Sequence, residues 1–126
     1  MLRMRFLTYG LMAAFAIAPM AAQAQDAAAG QRVFNQCRAC HTINEGGRNG
    51  VGPNLHGVVG RAAGSIEGFR YSANMREWAP GKTWDEALLT QYLTNPKSVL
   101  PRGSMSFVGL RNPQQVQDVI AYLKAN

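Results

Sequence analysis

The spacing of apolar side chains along the chain predicts several helices joined by long irregular segments. In residues 26–38, Val33, Phe34 and Cys37 recur at helical spacing behind Asp26, a residue type that often caps helices. Two further apolar stripes have the same period, one made of Leu88, Leu89, Tyr92 and Leu93 and one made of Val116, Val119, Ile120 and Leu123. No segment alternates apolar and polar side chains as a strand does, so we expect an all-α domain.

Local start and stop signals predict the bounds of the two later helices. Thr83-Trp84-Asp85-Glu86 has the pattern of a capping box, which predicts a helix capped by its threonine. Asn95-Pro96 predicts the end of that helix, because the residue before a proline disfavours helical backbone. Asn112 predicts the start of the last helix, with Pro113 at its first position.

The remaining segments predict one short helix and two loops. The stretch "SANMREW" (72–78) precedes Pro80-Gly81 and predicts a short helix. Residues 44–70 and 97–111 are rich in glycine and proline and have no sustained period, so they predict loops. Loops this long in a compact domain usually have a function.

The first 24 residues have the pattern of a secretory signal peptide. Arg3 and Arg5 precede an apolar run that ends near Ile17, and Ala22-Gln23-Ala24 is an A-x-A cleavage site. The alternative is an uncleaved membrane anchor, but a span needs about 20 apolar residues and this run is shorter. We therefore expect cleavage after residue 24.

Cleavage would leave residues 25–126 as a single domain in the periplasm, with no stable membrane insertion. No second long apolar run follows the leader, so we expect this domain to be soluble. The formal net charge of the whole chain is +6, and the loss of Arg3 and Arg5 lowers it to +4. A domain of this size has a small core, which a large bound cofactor would help to fill.

Cys37, Cys40 and His41 form a C-x-x-C-H motif, which is the attachment signal for c-type haem. Two cysteines three positions apart on a helical turn lie near one face, so both sulfurs can bond the two vinyl groups of one porphyrin. The imidazole that follows can then reach the iron, and histidine is a common haem ligand. The motif therefore predicts one haem c, attached through both cysteines and ligated by His41.

Three other uses of this motif fit the rest of the chain less well. A zinc site needs about four nitrogen or sulfur ligands, and outside the motif only His56 remains. A dithiol oxidoreductase places C-x-x-C beside a βαβ pattern, which this chain lacks. A disulfide between Cys37 and Cys40 would close a very small loop, stabilise weakly and leave His41 unexplained.

The second axial ligand of the iron has three candidates in residues 25–126, namely Met75, Met105 and His56. Met105 lies in the Pro/Gly-rich stretch "LPRGSMSF", where a methionine is poorly placed to fill a core. Met75 lies in the predicted short helix beside Trp78, which favours a core role, and the Gly-rich surroundings of His56 favour a surface or structural role. We therefore expect His41/Met105 ligation, a pair that raises the haem potential.

Taken in order, these features resemble those of the class I cytochromes c, the small soluble bacterial and mitochondrial type. The resemblance extends from Gly30 to Leu123 and includes "CRACHTI", "GVGPNLHGVVGR", "GFRYSAN", "KTWDEALLTQYLTNPK", "GSMSFVGL" and "DVIAYLK". It implies the cytochrome c fold, in which several helices and long Gly-rich loops surround one covalently bound haem.

The resemblance also implies roles for residues around that haem. The carbonyl of Pro53 would accept a hydrogen bond from the ring of His41 and so orient it. Arg61, Tyr71 and Trp84 would lie around a buried haem propionate, which needs donors or a positive charge where water is excluded.

Two further groupings follow from the same resemblance. Tyr92 would lie over the haem near the sulfur of Met105. Gly30 and Phe34 would meet Tyr122 where the first and last helices cross, and the glycine would permit their close approach. The alternative for the aromatic residues is ordinary core packing, since aromatic side chains dominate many cores.

The chain departs from the family pattern just before Met105. The family usually reads Pro-Gly-Thr-Lys-Met, whereas this chain has Pro101-Arg102-Gly103-Ser104-Met105. Gly103 therefore replaces a threonine that helps to hold a propionate, and Ser104 offers the nearest hydroxyl. The segment from Tyr71 to Trp84 is also slightly longer than in the mitochondrial proteins, so the contacts of one propionate are expected to differ.

An iron with both axial positions filled has no open site for a substrate, so we expect an electron carrier rather than an enzyme. The resemblance implies a cytochrome bc complex or a dehydrogenase as donor, and an oxidase, a reductase or a photosynthetic reaction centre as acceptor. We expect a monomer. Two alternatives are a haem subunit of a dehydrogenase complex and a five-coordinate haem enzyme or gas sensor with peroxidase-like activity, in which Met105 does not bind.

Four basic residues are candidates for a positive rim around the exposed haem edge, namely Arg48, Lys97, Arg102 and Arg111. Such a rim would attract redox proteins with acidic docking surfaces. The alternative is ordinary solvated surface charge. Nucleic acid is not an expected partner, because the chain has no basic cluster with interleaved aromatic residues.

Overall fold

The structure is a computed structural model that describes residues 10–17 and 25–126. It contains five helices in that part of the chain: α1 (Ala27–Phe34), α2 (Ala73–Trp78), α3 (Glu86–Thr94), α4 (Pro96–Val99) and α5 (Pro113–Lys124). The same residues form no strand, and one isolated antiparallel bridge joins Ala62 to Thr83. The all-α prediction is therefore confirmed.

Most of the predicted signal peptide, including the cleavage site Ala22-Gln23-Ala24, lies outside the described residues. Residues 10–17, which belong to its apolar run, are exposed and have no regular secondary structure. None of the helices in the described part of the chain has the length and apolar character needed to cross a membrane. Cleavage after residue 24 stays a prediction.

The first and last helices cross at a glycine, as the resemblance implied. A Cβ atom at Gly30 would overlap the backbone carbonyl of Asp118 and come within 2.9 Å of the Cβ atom of Tyr122. The ring of Phe34 packs against that of Tyr122 with 5.2 Å between centroids, and Phe34 and Ile120 are fully buried. This crossing forms one side of the core.

The first helix is shorter than the apolar spacing of residues 26–38 predicts. It begins after Asp26, whose side chain accepts hydrogen bonds from two following N–H groups as expected, but it ends at Phe34. Beyond that residue the backbone tightens, because the N–H of Gln36 bonds to the carbonyl of Val33 and that of Cys37 bonds to Phe34. The cysteine motif therefore lies on turns rather than on the helix itself.

The predicted cap at Thr83 is wrong. The structure caps α3 with Asp85, whose carboxylate accepts a hydrogen bond from the N–H of Leu88. Thr83 is held two residues earlier in the bridge to Ala62, and the N–H of Trp84 donates to the carbonyl of Arg61. Because aspartate caps helices as well as threonine does, the tertiary bridge decides which of them is used.

The other start and stop signals agree with the structure, with one addition. Asn112 caps α5 with Pro113 at its first position, Ser72 caps α2, and α3 ends before Asn95. The segment that was predicted as a loop after Pro96 begins with the single turn of α4. Residues 44–70 contain no helix and form a long loop.

Candidate cofactor site

One cavity of about 230 Å³ collects every residue that the sequence predicted for the site. These lining residues are Cys37, Cys40, His41, Pro53, Arg61, Tyr71, Trp84, Tyr92 and Met105. Much of the remaining wall is apolar and includes Leu55, Val58, Leu89, Leu93, Leu100 and Phe107. His56 is not among the lining residues, which agrees with its predicted structural role.

The two cysteines and the histidine reach the cavity from a single turn. The carbonyl of Cys37 accepts hydrogen bonds from the N–H of Cys40 at 3.1 Å and from the N–H of His41 at 2.9 Å. The two thiols are not joined to each other, and burial raises the pKa of the Cys37 thiol. Both thiols and the imidazole are thus presented to the same space.

The ring of His41 is fixed by a hydrogen bond and by a close-packed glycine. Its Nδ1 lies 2.7 Å from the carbonyl oxygen of Pro53, which can only accept, so the ring donates from Nδ1. A Cβ atom at Gly52 would overlap this ring. Burial lowers the pKa of His41, which favours the neutral imidazole. A neutral ring that donates from Nδ1 keeps the lone pair of Nε2 for a metal.

The loop that carries Pro53 is tied to the cysteine turn. The N–H of Gly52 donates to the carbonyl of Cys40 at 2.8 Å, and the N–H of Leu55 donates to the carbonyl of Thr42 at 2.8 Å. The side-chain amide of Asn54 donates to the Thr42 hydroxyl at 2.8 Å. Residues before and after Pro53 are therefore bonded to the cysteine turn, which fixes the Pro53 carbonyl that accepts from His41.

Arg61 carries an unpaired buried donor at the cavity. Its Nη1 and Nη2 donate to the carbonyls of His56 and Asn54, whereas its Nε is buried without a partner in the part of the chain that the structure describes. The hydroxyl of Tyr71 accepts from the N–H of Ile66 at 2.9 Å, which leaves its own proton to donate. Two such donors at one end of the cavity suit an anionic group such as a carboxylate.

Met105 approaches the cavity from the loop that follows α4. The hydroxyl of Tyr92 donates to its sulfur at 3.8 Å, and burial raises the pKa of Tyr92 to about 12. The aromatic rings of Trp84 and Tyr92 pack against each other in a tilted arrangement with 5.0 Å between centroids. Met75 also lines the cavity and packs against the hydrophobic core, in agreement with the core role predicted for it.

Sequence reasoning missed several residues that shape the site. Gly52 fits against His41, and the neighbouring pattern Gly-Pro-Asn was a turn signal that did not reveal this contact. Phe69 and Phe107 line the cavity from loops without periodicity, so no local signal could identify them. Gly103 and Ser104 both line it as well, at the point where the chain departs from its family pattern.

The donor set fits haem better than a bare metal ion. Within residues 10–17 and 25–126, no group of three or more histidine, cysteine, aspartate or glutamate side chains could hold a metal. The cavity instead offers paired thiols, one imidazole, one thioether, an apolar wall and a cationic end. An apolar macrocycle with thioether links, two axial ligands and an acidic edge needs that combination.

Comparisons with known proteins agree with this chemistry. The family described as Cytochrome c matches residues 27–126. The chain is 47% identical over 123 residues to cytochrome c2 of Blastochloris viridis, covering 96% of this chain and 93% of the relative. It is 48% identical over 98 residues to cytochrome c-550 of Ancylobacter novellus, covering 77% and 92%. The solved structure of cytochrome cH from Methylobacterium extorquens has a TM-score of 0.73 and 44% identity, covering 80% of this chain and 99% of that one.

Proposed function

Because the chain belongs to the cytochrome c family, we propose that it binds one haem c through Cys37 and Cys40, with His41 and Met105 as the axial ligands. Members of this family are electron carriers rather than enzymes and hold their haem covalently, and this chain is such a carrier. When bound, haem c supplies an iron that cycles between Fe(II) and Fe(III). The convergence of the two thiols, the imidazole and the Met105 thioether on one cavity carries the proposal.

The other residues of the cavity would control the surroundings of the iron. Pro53 holds the proton on Nδ1 of His41, which keeps Nε2 available and orients the ring. Tyr92 donates to the Met105 sulfur and so biases the position of this ligand. Arg61 and Tyr71, with Trp84 beside them, would donate to a propionate, because a carboxylate without water needs such partners.

We assign the carrier to the periplasm, between redox complexes. The pattern of residues 1–24 predicts export, and the alignment with the relative from Blastochloris viridis covers enough of the chain to include most of that leader. The donor would be a cytochrome bc complex or a dehydrogenase, and the acceptor an oxidase, a reductase or a reaction centre. The positive net charge supports docking to acidic surfaces.

The axial ligation is tested by an optical spectrum of the purified holoprotein, oxidised and reduced. A low-spin spectrum with a weak sulfur-to-iron charge-transfer band in the near infrared is expected. Met105→Leu should abolish that band, because leucine keeps a similar volume but has no sulfur. Met75→Leu is the matched control, since it removes the other methionine that lines the cavity, and the band should persist.

Two other results would redirect the proposal. A high-spin spectrum, or a band that is indifferent to Met105→Leu, would favour the five-coordinate enzyme or sensor. A stable complex with a dehydrogenase after purification from the native host would favour the dedicated haem subunit. A monomer that exchanges electrons with more than one acceptor supports the mobile carrier.

A further inference from the structure

We propose that Asn74 on α2 is a positioning residue that holds the Met105 loop closed, so that this contact helps to set how readily Met105 leaves the iron. The inference rests on the proposed ligation by Met105. It concerns the loop from Pro101 to Gly109, hereafter the Met105 loop, and the helix that faces it. The Asn74 side-chain oxygen accepts a hydrogen bond from the backbone N–H of Arg102 at 2.8 Å, across 28 positions of sequence.

The Met105 loop has few tethers of its own. Between Ser104 and Gly109, the structure records no backbone–backbone hydrogen bond for these described residues. The N–H of Leu110 donates to the carbonyl of Leu93 at 2.8 Å and anchors the loop at its end. Because a segment with few internal bonds opens at low free energy, each remaining tether changes its opening measurably.

At its start the loop is held from two sides. The N–H of Gly103 donates to the carbonyl of buried Leu100 at 3.0 Å, and the ammonium of Lys97 donates to the carbonyl of Gly103 at 2.6 Å. These bonds come from the loop's own neighbours in sequence. Asn74, on α2, holds the backbone of Arg102 across 28 positions of sequence, so it ties the loop to the long segment before Trp84.

The helix that carries Asn74 is itself fixed to the cavity. The hydroxyl of Ser72 caps α2 by accepting from the N–H of Met75 at 3.0 Å, and both residues line the cavity. Trp78, at the end of the helix, packs at a tilt against buried Trp84 with 5.5 Å between ring centroids. A tether is effective only if its far end is rigid, and α2 meets that condition.

Arg102 adds an ion pair to the same contact. Its guanidinium lies 3.5 Å from the carboxylate of Glu77, also on α2, and the two side chains are 77% and 67% exposed. An ion pair this exposed contributes little to stability. The ion pair neutralises part of the Arg102 charge, whereas the backbone N–H of the same residue makes the tether to Asn74.

The test measures the competition between imidazole and Met105 for the ferric iron of the holoprotein. Imidazole binds only when the loop has opened, so its apparent affinity reports the open fraction. Asn74→Ala should tighten imidazole binding about fivefold, which corresponds to about 1 kcal/mol for one lost hydrogen bond. Alanine favours a helix more than asparagine does, so weakening of α2 would not explain that result.

Two variants separate the tether from other effects. Asn74→Asp keeps an acceptor oxygen and should bind imidazole within about twofold of the wild type. Arg102→Ala keeps the backbone N–H and removes only the exposed ion pair, so it too should stay within about twofold. In each variant the near-infrared band shows that the closed state still has its sulfur ligand.

The outcomes are distinguishable. An unchanged imidazole affinity in Asn74→Ala, or an equal effect in Asn74→Asp or Arg102→Ala, would overturn the proposal for Asn74. A wild-type holoprotein without the charge-transfer band would instead contradict Met105 ligation itself, before any variant is measured. A shift in global unfolding with no change in imidazole affinity would assign Asn74 a merely structural role and reject the tether.

Discussion

At the scale of single residues, His41 and Arg61 each hydrogen-bond to the backbone with some of their side-chain nitrogens and leave one nitrogen without a partner in the described part of the chain. His41 donates a hydrogen bond from Nδ1 to the carbonyl of Pro53, which leaves Nε2 available. Arg61 donates from Nη1 and Nη2 to two backbone carbonyls, which leaves Nε available. A buried donor without a partner costs free energy, so a site that leaves one unpaired favours an anionic ligand. The second carbonyl that Arg61 contacts, that of Asn54, belongs to the loop that positions Pro53.

Ionisation of Tyr92 should make the free energy of unfolding depend on pH in alkaline solution. Burial disfavours its phenolate and raises its pKa to about 12, whereas an unfolded chain would ionise near 10. The unfolded state therefore loses this proton first, so the stability that the neutral phenol contributes is present below pH 10 and is lost as the pH rises to 12.

Tyr92→Phe should remove that contribution without changing the ring. Denaturant unfolding of the wild type and of Tyr92→Phe should be measured between pH 8 and 12. Below pH 10, the difference between their free energies of unfolding should be constant. The difference in unfolding free energy should then change by about 2 kcal/mol, with the wild type losing more stability. Parallel curves over the whole range would contradict the assigned pKa.

At the scale of elements, α1 and α5 are joined by packing and by one buried carboxylate. Asp118 is 7% exposed, and its Oδ1 accepts hydrogen bonds from the N–H of Asp26 at 3.1 Å and from the Gln114 side chain at 2.9 Å. The sequence pattern placed Asp118 between two apolar positions without revealing this role. The start of α1 is thus capped by its own residue and also anchored to α5.

Gly30→Ala tests the crossing of α1 and α5, because the close approach predicts that it lowers the free energy of unfolding rather than raising it. In an isolated helix, alanine in place of glycine is stabilising by about 1 kcal/mol. Here its Cβ atom would overlap the Asp118 carbonyl, so denaturant unfolding should show a loss of about 2 kcal/mol. Gln31→Ala, at the exposed neighbouring position, is the control and should change stability by less than about 0.5 kcal/mol. A stabilised Gly30→Ala protein would argue against the close approach.

The helices of the later half depend on local and distant signals to different degrees. Asn112 and Pro113 start α5 where the sequence predicts, since capping involves neighbours two or three positions apart. The sequence pattern predicted Thr83 as the cap of α3, but Thr83 is held in the bridge to Ala62 and Asp85 caps the helix instead. Element bounds are therefore predictable where no long-range contact competes for the capping residue.

At the scale of the whole molecule, one of the four basic residues considered for the positive rim has an acidic partner in the described part of the chain, because Arg102 pairs with Glu77. The other three, Arg48, Lys97 and Arg111, are exposed, and Lys97 donates only to the neutral Gly103 carbonyl, which leaves its charge unchanged. The positive net charge still favours acidic partners. The rim around the haem edge stays a prediction, with Arg48, Lys97 and Arg111 as its remaining candidates.

Electron exchange with small charged reagents measures that rim directly. Oxidation of the reduced protein by hexacyanoferrate(III), an anion, should slow about tenfold between 0.01 and 0.1 M salt, because the screening length falls from about 30 Å to about 10 Å. Oxidation by a cationic cobalt complex should accelerate over the same range. Arg111→Gln should flatten both slopes, and Lys124→Gln on α5, already paired with Glu86, should leave them nearly unchanged. Equal slopes for the two reagents would exclude a local rim.

The amino-acid sequence alone determined the features that depend on near neighbours. Cys37, Cys40 and His41 form a motif that identifies haem attachment, because thioether geometry requires that spacing. Helical periodicity identified the buried face of α5, and the family resemblance implied the close crossing at Gly30. Loop composition favoured Met105 over Met75 as the second axial ligand, and this choice stays a prediction because both side chains line the cavity.

Only the tertiary structure decided the contacts between segments far apart in the chain. The bond from the N–H of Arg102 to Asn74 joins two segments whose sequences carry no mutual pattern. The Nε of Arg61 is buried without a partner among the described residues, which its local sequence did not reveal. The early end of α1 at Phe34, which places the cysteine motif on turns, is another such decision. Local sequence encodes hydrogen bonds within about four residues, whereas the closing of long loops depends on the packing of the whole domain.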